Sequence, residues 1–247
     1  MKKVLYAIAI LGVAALAFTA CKKDSKNEEP KIQKRLVMCG DQWDKYAFTY
    51  GADGKIALVN RNEGERTWTF TWNGKVGTAK YVKEGEEKGD QVFTLGDNGY
   101  LKSFANEWGD TWGMTYDANG YLTKVERTDK NAVKANCVWK DGDLSKWSRF
   151  KDDGTEEWKI QSFLADENVG GVFVDATDKA GIDRWIFELG LCGKASKHLL
   201  DQAAWEGSDA IAVHTYEKDA DGFVTKVNKV YDGGDPEVYE YAWELLK

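Results

Sequence analysis

The sequence predicts an all-β fold: an antiparallel up-and-down meander of about a dozen strands, forming a barrel or a strongly curved sheet. Three observations carry this. A polar loop ending in Gly recurs between an apolar residue and an aliphatic one, as "YGADGKIALV" (50–59), "LGDNGYLKSF" (95–104) and "YDANGYLTKV" (116–125), and again in "KDADGFVTKV" (218–227). Proline occurs only at Pro30 and Pro236, as suits a chain that spends most of its length in ladders. The stretches between turns have strand length, and an open sheet of that many strands tends to curl or close.

The N-terminus comes first in chain order. Lys2 and Lys3 precede a nearly all-apolar run, 4–17, and small residues lead into Cys21. The run is short for a membrane span and reads as a secretory signal, residues 1–20. "FTAC" (18–21) resembles a bacterial lipobox: Ala20 and Cys21 fit, while Phe18 and Thr19 depart from the usual Leu and Ala or Ser. Cys21 is thus the expected lipid attachment; the alternative is an ordinary signal peptide with a chance Cys at its end. The next stretch, "KKDSKNEEPKIQK" (22–34), has no aromatic residue and many charges of both signs. It buries too little apolar surface to offset the entropy of ordering, so 21–35 is expected to be a flexible tether. Residues 36–247 are then one barrel-like domain of roughly 210 residues, enough for one sizeable core. The expected membrane contact is the lipid, which needs more than one acyl chain for stable anchoring.

Composition excludes one class of partner. The net charge is −7 and the mean hydropathy −0.55, and loss of Lys2 and Lys3 with the signal makes the chain more acidic still. Such a domain has no basic field for nucleic acid. Cys39, Cys137 and Cys192 remain beside Cys21, an odd number without metal-ligand spacing. They allow one disulfide in an oxidising compartment or three buried thiols.

The hairpins follow from turn chemistry. In Asp117-Ala118-Asn119-Gly120, Asp suits the first position of a type I turn and Gly takes the left-handed fourth. That closes a three-residue loop with a bulge, pairing Tyr116 with Leu122, Tyr50 with Ile56 and Leu95 with Leu101. Period two extends the inward face to Phe48, Leu58, Phe93, Trp112 and Met114. At 219–222 the turn is expected but the register is not, because Lys218 stands where an apolar residue should. "WNGK" (72–75), "KDGD" (140–143) and "KDDG" (151–154) are read as related turns on the same rim. Longer charged returns, "NRNEGE", "KEGEEKGD", "WGDTW" and "RTDKNA", line the other. One segment breaks the pattern. Ile182, Trp185, Ile186 and Leu189 fall at i, i+3, i+4, i+7, an amphipathic helix over 182–190 stopped by Gly190, expected to plug or cap the barrel.

The lipobox, tether, hairpins and the block Ile182, Asp183 and "GLCGKASK" (190–197) together resemble an uncharacterised family of Bacteroidota lipoproteins, a domain of unknown function with a porin-like fold. The resemblance spans nearly the whole mature chain; the family usually has Asn where Gly181 and His198 stand. It implies a β-barrel-like domain exported to the outer envelope and implies no activity.

Site chemistry is sparse. "EKDADGFVTKVN" (217–228) places Glu217, Asp219, Asp221 and Gly222 like a calcium loop, but Asn228 replaces the bidentate Glu and the flanks read as strands, so a hairpin is expected and no metal. Cys192 and His198 share a segment without an evident third group to orient them, which reads as a buried thiol and a helix-end histidine. Ser/His/Asp catalysis has no nucleophile-elbow motif, and 41 acidic residues make accidental carboxylate pairs certain. No enzyme and no cofactor are expected. Of eleven Trp, most are expected to fill the interior. Trp108 and Trp112 flank the Gly109-Asp110 turn, where packing in the core or rim is the first reading and an exposed aromatic pair stacking against a sugar ring is the alternative. The leading expectation is a non-catalytic lipoprotein domain, lipid-anchored at the outer membrane, binding a glycan or another small-molecule ligand at a barrel mouth or rim. A structural or assembly component without a small ligand is the alternative; a pore requires an outward apolar band that these strands lack.

Overall fold

The computed structural model describes residues 32–151, 153–174 and 180–246. Its first eight strands are β1 (Lys34–Gly40), β2 (Lys45–Tyr50), β3 (Ile56–Arg61), β4 (Arg66–Asn73), β5 (Val76–Lys83), β6 (Glu86–Leu95), β7 (Leu101–Ala105) and β8 (Thr111–Tyr116). The second eight are β9 (Leu122–Arg127), β10 (Ala132–Lys140), β11 (Asp143–Phe150), β12 (Glu156–Glu167), β13 (His198–Trp205), β14 (Ile211–Lys218), β15 (Val224–Tyr231) and β16 (Glu237–Leu245). Each pairs antiparallel with its chain neighbours, and β16 returns to β1 to close the barrel. The wall thus has sixteen strands where turn counting gave about a dozen. Short polar returns at 41–44, 206–210 and 232–236 account for the difference, together with the long connection between β12 and β13. Strand β1 also begins inside the stretch assigned to the tether: Lys34 and Arg35 pair with Leu245 and Glu244, and closure of the barrel holds them. The predicted signal (1–20), Cys21 and the tether up to residue 31 lie outside the described residues.

The repeated hairpins have the register their turns dictate: Tyr50 opposite Ile56, Leu95 opposite Leu101, Tyr116 opposite Leu122. The copy at 219–222 pairs in the same way, Lys218 opposite Val224. Gly222 takes φ +86 there, so the turn backbone sets the pairing whatever Lys218 would prefer. One residue further along each returning strand the register shifts by a bulge. The extra residue moves the next inward position on by one. Val59, Phe104, Val125 and Val227 therefore face the core opposite Phe48, Phe93, Met114 and Tyr216. Strict alternation put Leu58 inside; the bulge leaves it half-buried and seats Val59 in the core instead.

Turns after even-numbered strands form one rim, the hairpin rim, and turns after odd-numbered strands form the other, the mouth. "KDDG" joins β11 to β12 and so lies at the mouth, not among the hairpin tips to which it was assigned. At the hairpin rim, neighbouring strands that are joined at the mouth diverge, leaving backbone carbonyls beyond the ladder. Aromatic side chains of the next strand fill those positions. Tyr50 Oη donates to Leu36 O at 2.6 Å, Trp72 Nε1 to Ile56 O at 2.8 Å and Tyr116 Oη to Leu101 O at 2.7 Å. Trp139 Nε1, Tyr216 Oη and Trp243 Nε1 donate to Leu122 O, Leu200 O and Val224 O, each at 2.7 Å. Three of the eleven Trp, namely Trp72, Trp139 and Trp243, are thereby explained, since a buried carbonyl needs a partner and an indole supplies one while filling space.

The barrel axis is occupied. Helix α1 (Arg184–Glu188), shorter than the predicted 182–190, buries Trp185, Ile186, Phe187 and Glu188 on every side. A helix enclosed by a barrel has no solvent face, so the expected amphipathicity gives way to burial all round. The Trp185 ring lies 5.5 Å from Trp68 and 5.8 Å from Phe93. Arg184 Nη2 pairs with Glu188 Oε1 at 2.7 Å, and that carboxylate also accepts from Tyr241 Oη at 3.1 Å and Phe173 N at 3.2 Å. A buried carboxylate with this many donors is tolerable where a lone one is not. After Gly190 (φ +68) the chain runs along the hairpin tips. Leu101 N donates to Leu191 O at 2.7 Å, Lys194 N to Gly120 O at 3.1 Å and Lys197 N to Gly142 O at 3.0 Å. Leu144 N donates to Ser196 Oγ at 3.0 Å. The block "GLCGKASK" is this strap. At Gly193 (φ +98) a Cβ would sit 2.7 Å from Gly120 O, which explains a glycine there.

Candidate functional site

The mouth has no comparable strap among the described residues, and a cavity of ≈130 Å³ opens there. Its walls follow from alternation along five successive strands: Arg66 and Trp68 on β4, Tyr81 on β5, Gln91 on β6, Phe104 on β7 and Trp112 on β8 all turn inward near the same end. Asn106, Glu107 and Trp108 reach it from the β7–β8 turn, and Gly181 and Asp183 from the entry to the plug.

Hydrogen bonds fix the polar groups between aromatic surfaces. Trp68 stacks on Tyr81 at 5.1 Å, and its Nε1 donates to Gln91 Oε1 at 3.0 Å. Gln91 Nε2 donates in turn to Glu107 Oε2 at 2.7 Å. Asn106 Oδ1 accepts from Trp108 N at 3.1 Å and Asp110 N at 2.9 Å, which holds the β7–β8 turn rigid. Burial pushes the Asp183 carboxyl above the ordinary carboxylate range, against the opposing pull of Arg66, Trp185 and Arg61. Burial likewise raises the Tyr81 phenol. An aromatic surface beside convergent carboxylate, amide and guanidinium groups suits a small polar ligand with one flat apolar face.

Trp108 and Trp112 both line this cavity, in different ways. Trp108 is 79% exposed at the lip, whereas Trp112 is only 4% exposed. Trp112 is the first inward side chain of β8, opposite Phe104, with its Nε1 donating to Ala180 O at 3.1 Å and the Arg127 guanidinium 4.7 Å from its ring. Packing therefore holds for Trp112, which forms the inner wall, and exposure for Trp108, which stands outside.

The remaining candidates resolve locally. Residues 217–228 form the β14–β15 hairpin, and Asp219 and Asp221 meet Lys34 Nζ at 2.7 and 2.5 Å. Cys192 is buried, and desolvation raises its thiol. His198 Nδ1 meets Asp143 Oδ2 at 2.8 Å, an orienting partner that the sequence left unidentified. Cys39, Cys137 and Cys192 are three free, buried thiols. The sequence reading missed Asp183, Gln91 and Glu107, which reach the mouth only through register and the path of the plug. It also missed Trp43, for which a signal existed: "DQWD" (41–44) and "NEWGD" (106–110) are the same kind of Trp-bearing polar return.

Neither a scan against protein-family models nor a search of curated proteins finds a match. Among solved structures, a porin-like protein from Bacteroides uniformis ATCC 8492 superposes with a TM-score of 0.66 at 14% identity, over 87% of this chain and 98% of that one. The likeness establishes the porin-like barrel fold.

Proposed function

We propose that this chain is an exported envelope lipoprotein, anchored through Cys21, whose barrel binds a glycan or another small polar ligand at its open mouth without catalysis. The carrying observation is the mouth cavity, where Trp68, Tyr81, Phe104, Trp108 and Trp112 surround a few convergent polar groups. The signal-like N-terminus and the fold shared with a porin-like Bacteroides uniformis protein support the envelope setting. The wall argues against a membrane-spanning pore. Its outward positions carry ion pairs such as Lys80–Glu87 and Lys124–Glu126, where a lipid-facing barrel needs an apolar band. Binding is tested by the intrinsic fluorescence of the chain from residue 21 onward carrying Cys21→Ser, titrated with mono- and disaccharides and with lipidic ligands. A saturable shift, lost in Trp108→Ala, is the expected result; a flat response from folded protein overturns the binding reading. Incorporation of labelled palmitate, lost in Cys21→Ser, checks the anchor.

An assembly role is the second reading, favoured by one observation. Ile160, Ala204 and Ile211 lie in register across β12, β13 and β14 on the outer wall, with Ile160 and Ile211 exposed. A stable complex lost in Ile160→Lys, beside a flat ligand titration, would favour it.

A further inference from the structure

The two most exposed large apolar side chains among the described residues are both tryptophans, Trp108 at 79% and Trp43 at 74%. Both stand at the mouth, and both are presented by the same local construction. Trp43 N donates to Asp41 Oδ1 at 2.7 Å, as Trp108 N donates to Asn106 Oδ1 at 3.1 Å. Trp43 is held a second time, by Asn62 Nδ2 donating to its carbonyl at 2.7 Å. An indole on a pinned backbone offers a large flat contact at small entropic cost.

The two rings stand on the same rim. Next to the Trp43 turn lies an open polar groove of ≈520 Å³, lined in part by Asp41, Gln42, Asn62 and Glu63, with Lys45 paired to Glu240 at 2.9 Å on its wall. The β3–β4 turn divides it from the mouth cavity: Asn62 and Glu63 face the groove, and Arg66 faces the cavity. The β1–β2 and β7–β8 turns are six strands apart in the closed barrel. At a strand spacing of about 4.8 Å this sets the two turns roughly 29 Å apart along the rim.

Charge narrows the ligand class. The loops between β1 and β8 on this rim carry Asp41, Asp44, Glu63, Glu65, Glu84, Glu107 and Asp110, and neither Lys nor Arg. Of the arginines turned inward beneath them, Arg61 pairs with Asp44, and Arg66 lies 3.6 Å from Glu65 with its Nε left without a hydrogen bond. An acidic rim repels anionic polymers and anionic lipid surfaces.

From these observations we infer that the ligand of the mouth is an extended, uncharged polysaccharide chain, with Trp108 and the cavity holding one part and Trp43 with its groove holding another. This rests on the mouth-binding reading above and deepens it. Two platforms bridged by one chain convert the second contact into an intramolecular one, so affinity rises with chain length.

The test uses the chain from residue 21 onward carrying Cys21→Ser, without detergent, on native gels cast with neutral polysaccharides (a β-glucan, an α-glucan, a xylan, a mannan) or with anionic polygalacturonate, and with phosphatidylcholine vesicles as a separate arm. At least one neutral polymer is expected to retard the protein, and its hexasaccharide to bind about tenfold tighter than its disaccharide. Trp43→Ala then removes that tenfold gain and leaves disaccharide binding intact, while Trp108→Ala removes both. Equal affinity for the two lengths, or no effect of Trp43→Ala beside a loss in Trp108→Ala, overturns the extended-chain inference and leaves the mouth reading standing. Stronger retention by polygalacturonate overturns the uncharged class. Retention by none of the neutral polymers overturns the inference, and vesicle binding lost in both variants would replace it with a membrane surface.

Discussion

At the hairpin rim, strand ends are capped by Tyr and Trp donors, crossed by the strap of 191–197, and backed by a plug whose Trp185 is fully buried. At the mouth, the same strands end in acidic turns around a cavity, with Trp43 and Trp108 turned to solvent. Aromatic residues are plentiful at both ends, so their number does not separate the two. Their polar atoms do. Tyr116 Oη and Trp139 Nε1 are spent on backbone carbonyls, whereas Trp43 and Trp108 have their backbone N–H groups tied down and their rings left free. An aromatic side chain in a closed barrel is structural where the ladder leaves a carbonyl to satisfy, and available where a turn satisfies its own backbone.

The comparison breaks most readily at the plug. Trp185→Ala leaves a cavity among Trp68, Phe70 and Phe93 and is expected to cost about 3–5 kcal/mol. In a domain of this size that lowers Tm by roughly 10 °C or more in a thermal scan. A loss under about 1 kcal/mol would mean that the barrel core does not depend on the plug. Tyr116→Phe, which strips the donor from the buried Leu101 carbonyl, is expected to cost about 1–2 kcal/mol by denaturant titration, leaving mouth binding unchanged.

Asp183 sharpens the contrast through pH. Its carboxyl is raised by burial, so relative to an unfolded chain the fold favours the protonated form. Its contribution is fully present below the unfolded carboxylate pKa and is lost as pH rises through the folded value. Asp183→Asn is therefore expected to raise Tm near neutral pH, with the gap from wild type closing in acid; a gap that widens in acid would contradict the assignment. The smallest stability effect belongs to the open rim. Trp43→Ala and Trp108→Ala are each expected to stay within about 0.5 kcal/mol of wild type, measured by the same titration. A larger loss would make these rings part of the packing rather than of a binding surface.

Much of the barrel was legible in the chain. Asp117–Gly120 and its relatives carry their own register, because turn residues act over four positions and need nothing distant. The helix at 184–188 and its stop at Gly190 were legible for the same reason. What period two could not show was the bulge that exchanges Leu58 for Val59, since a single inserted residue inverts the face of everything beyond it. The site was half legible. Trp108 stood out as an aromatic residue in a polar turn, and Trp43 carried the same signal unread.

By itself the sequence determined the all-β class, the hairpin tips and their pairing, and a short helix breaking the meander, because each rests on contacts a few residues apart. Only the tertiary structure decided that sixteen strands close on themselves, that the helix sits inside them, and that Trp112 forms a wall while Trp108 stands free. Those outcomes depend on which strand meets which around the whole circumference. The cavity at the mouth exists only because Arg66, Gln91, Trp112 and Asp183, spread over more than a hundred residues of chain, are brought to one end by that closure.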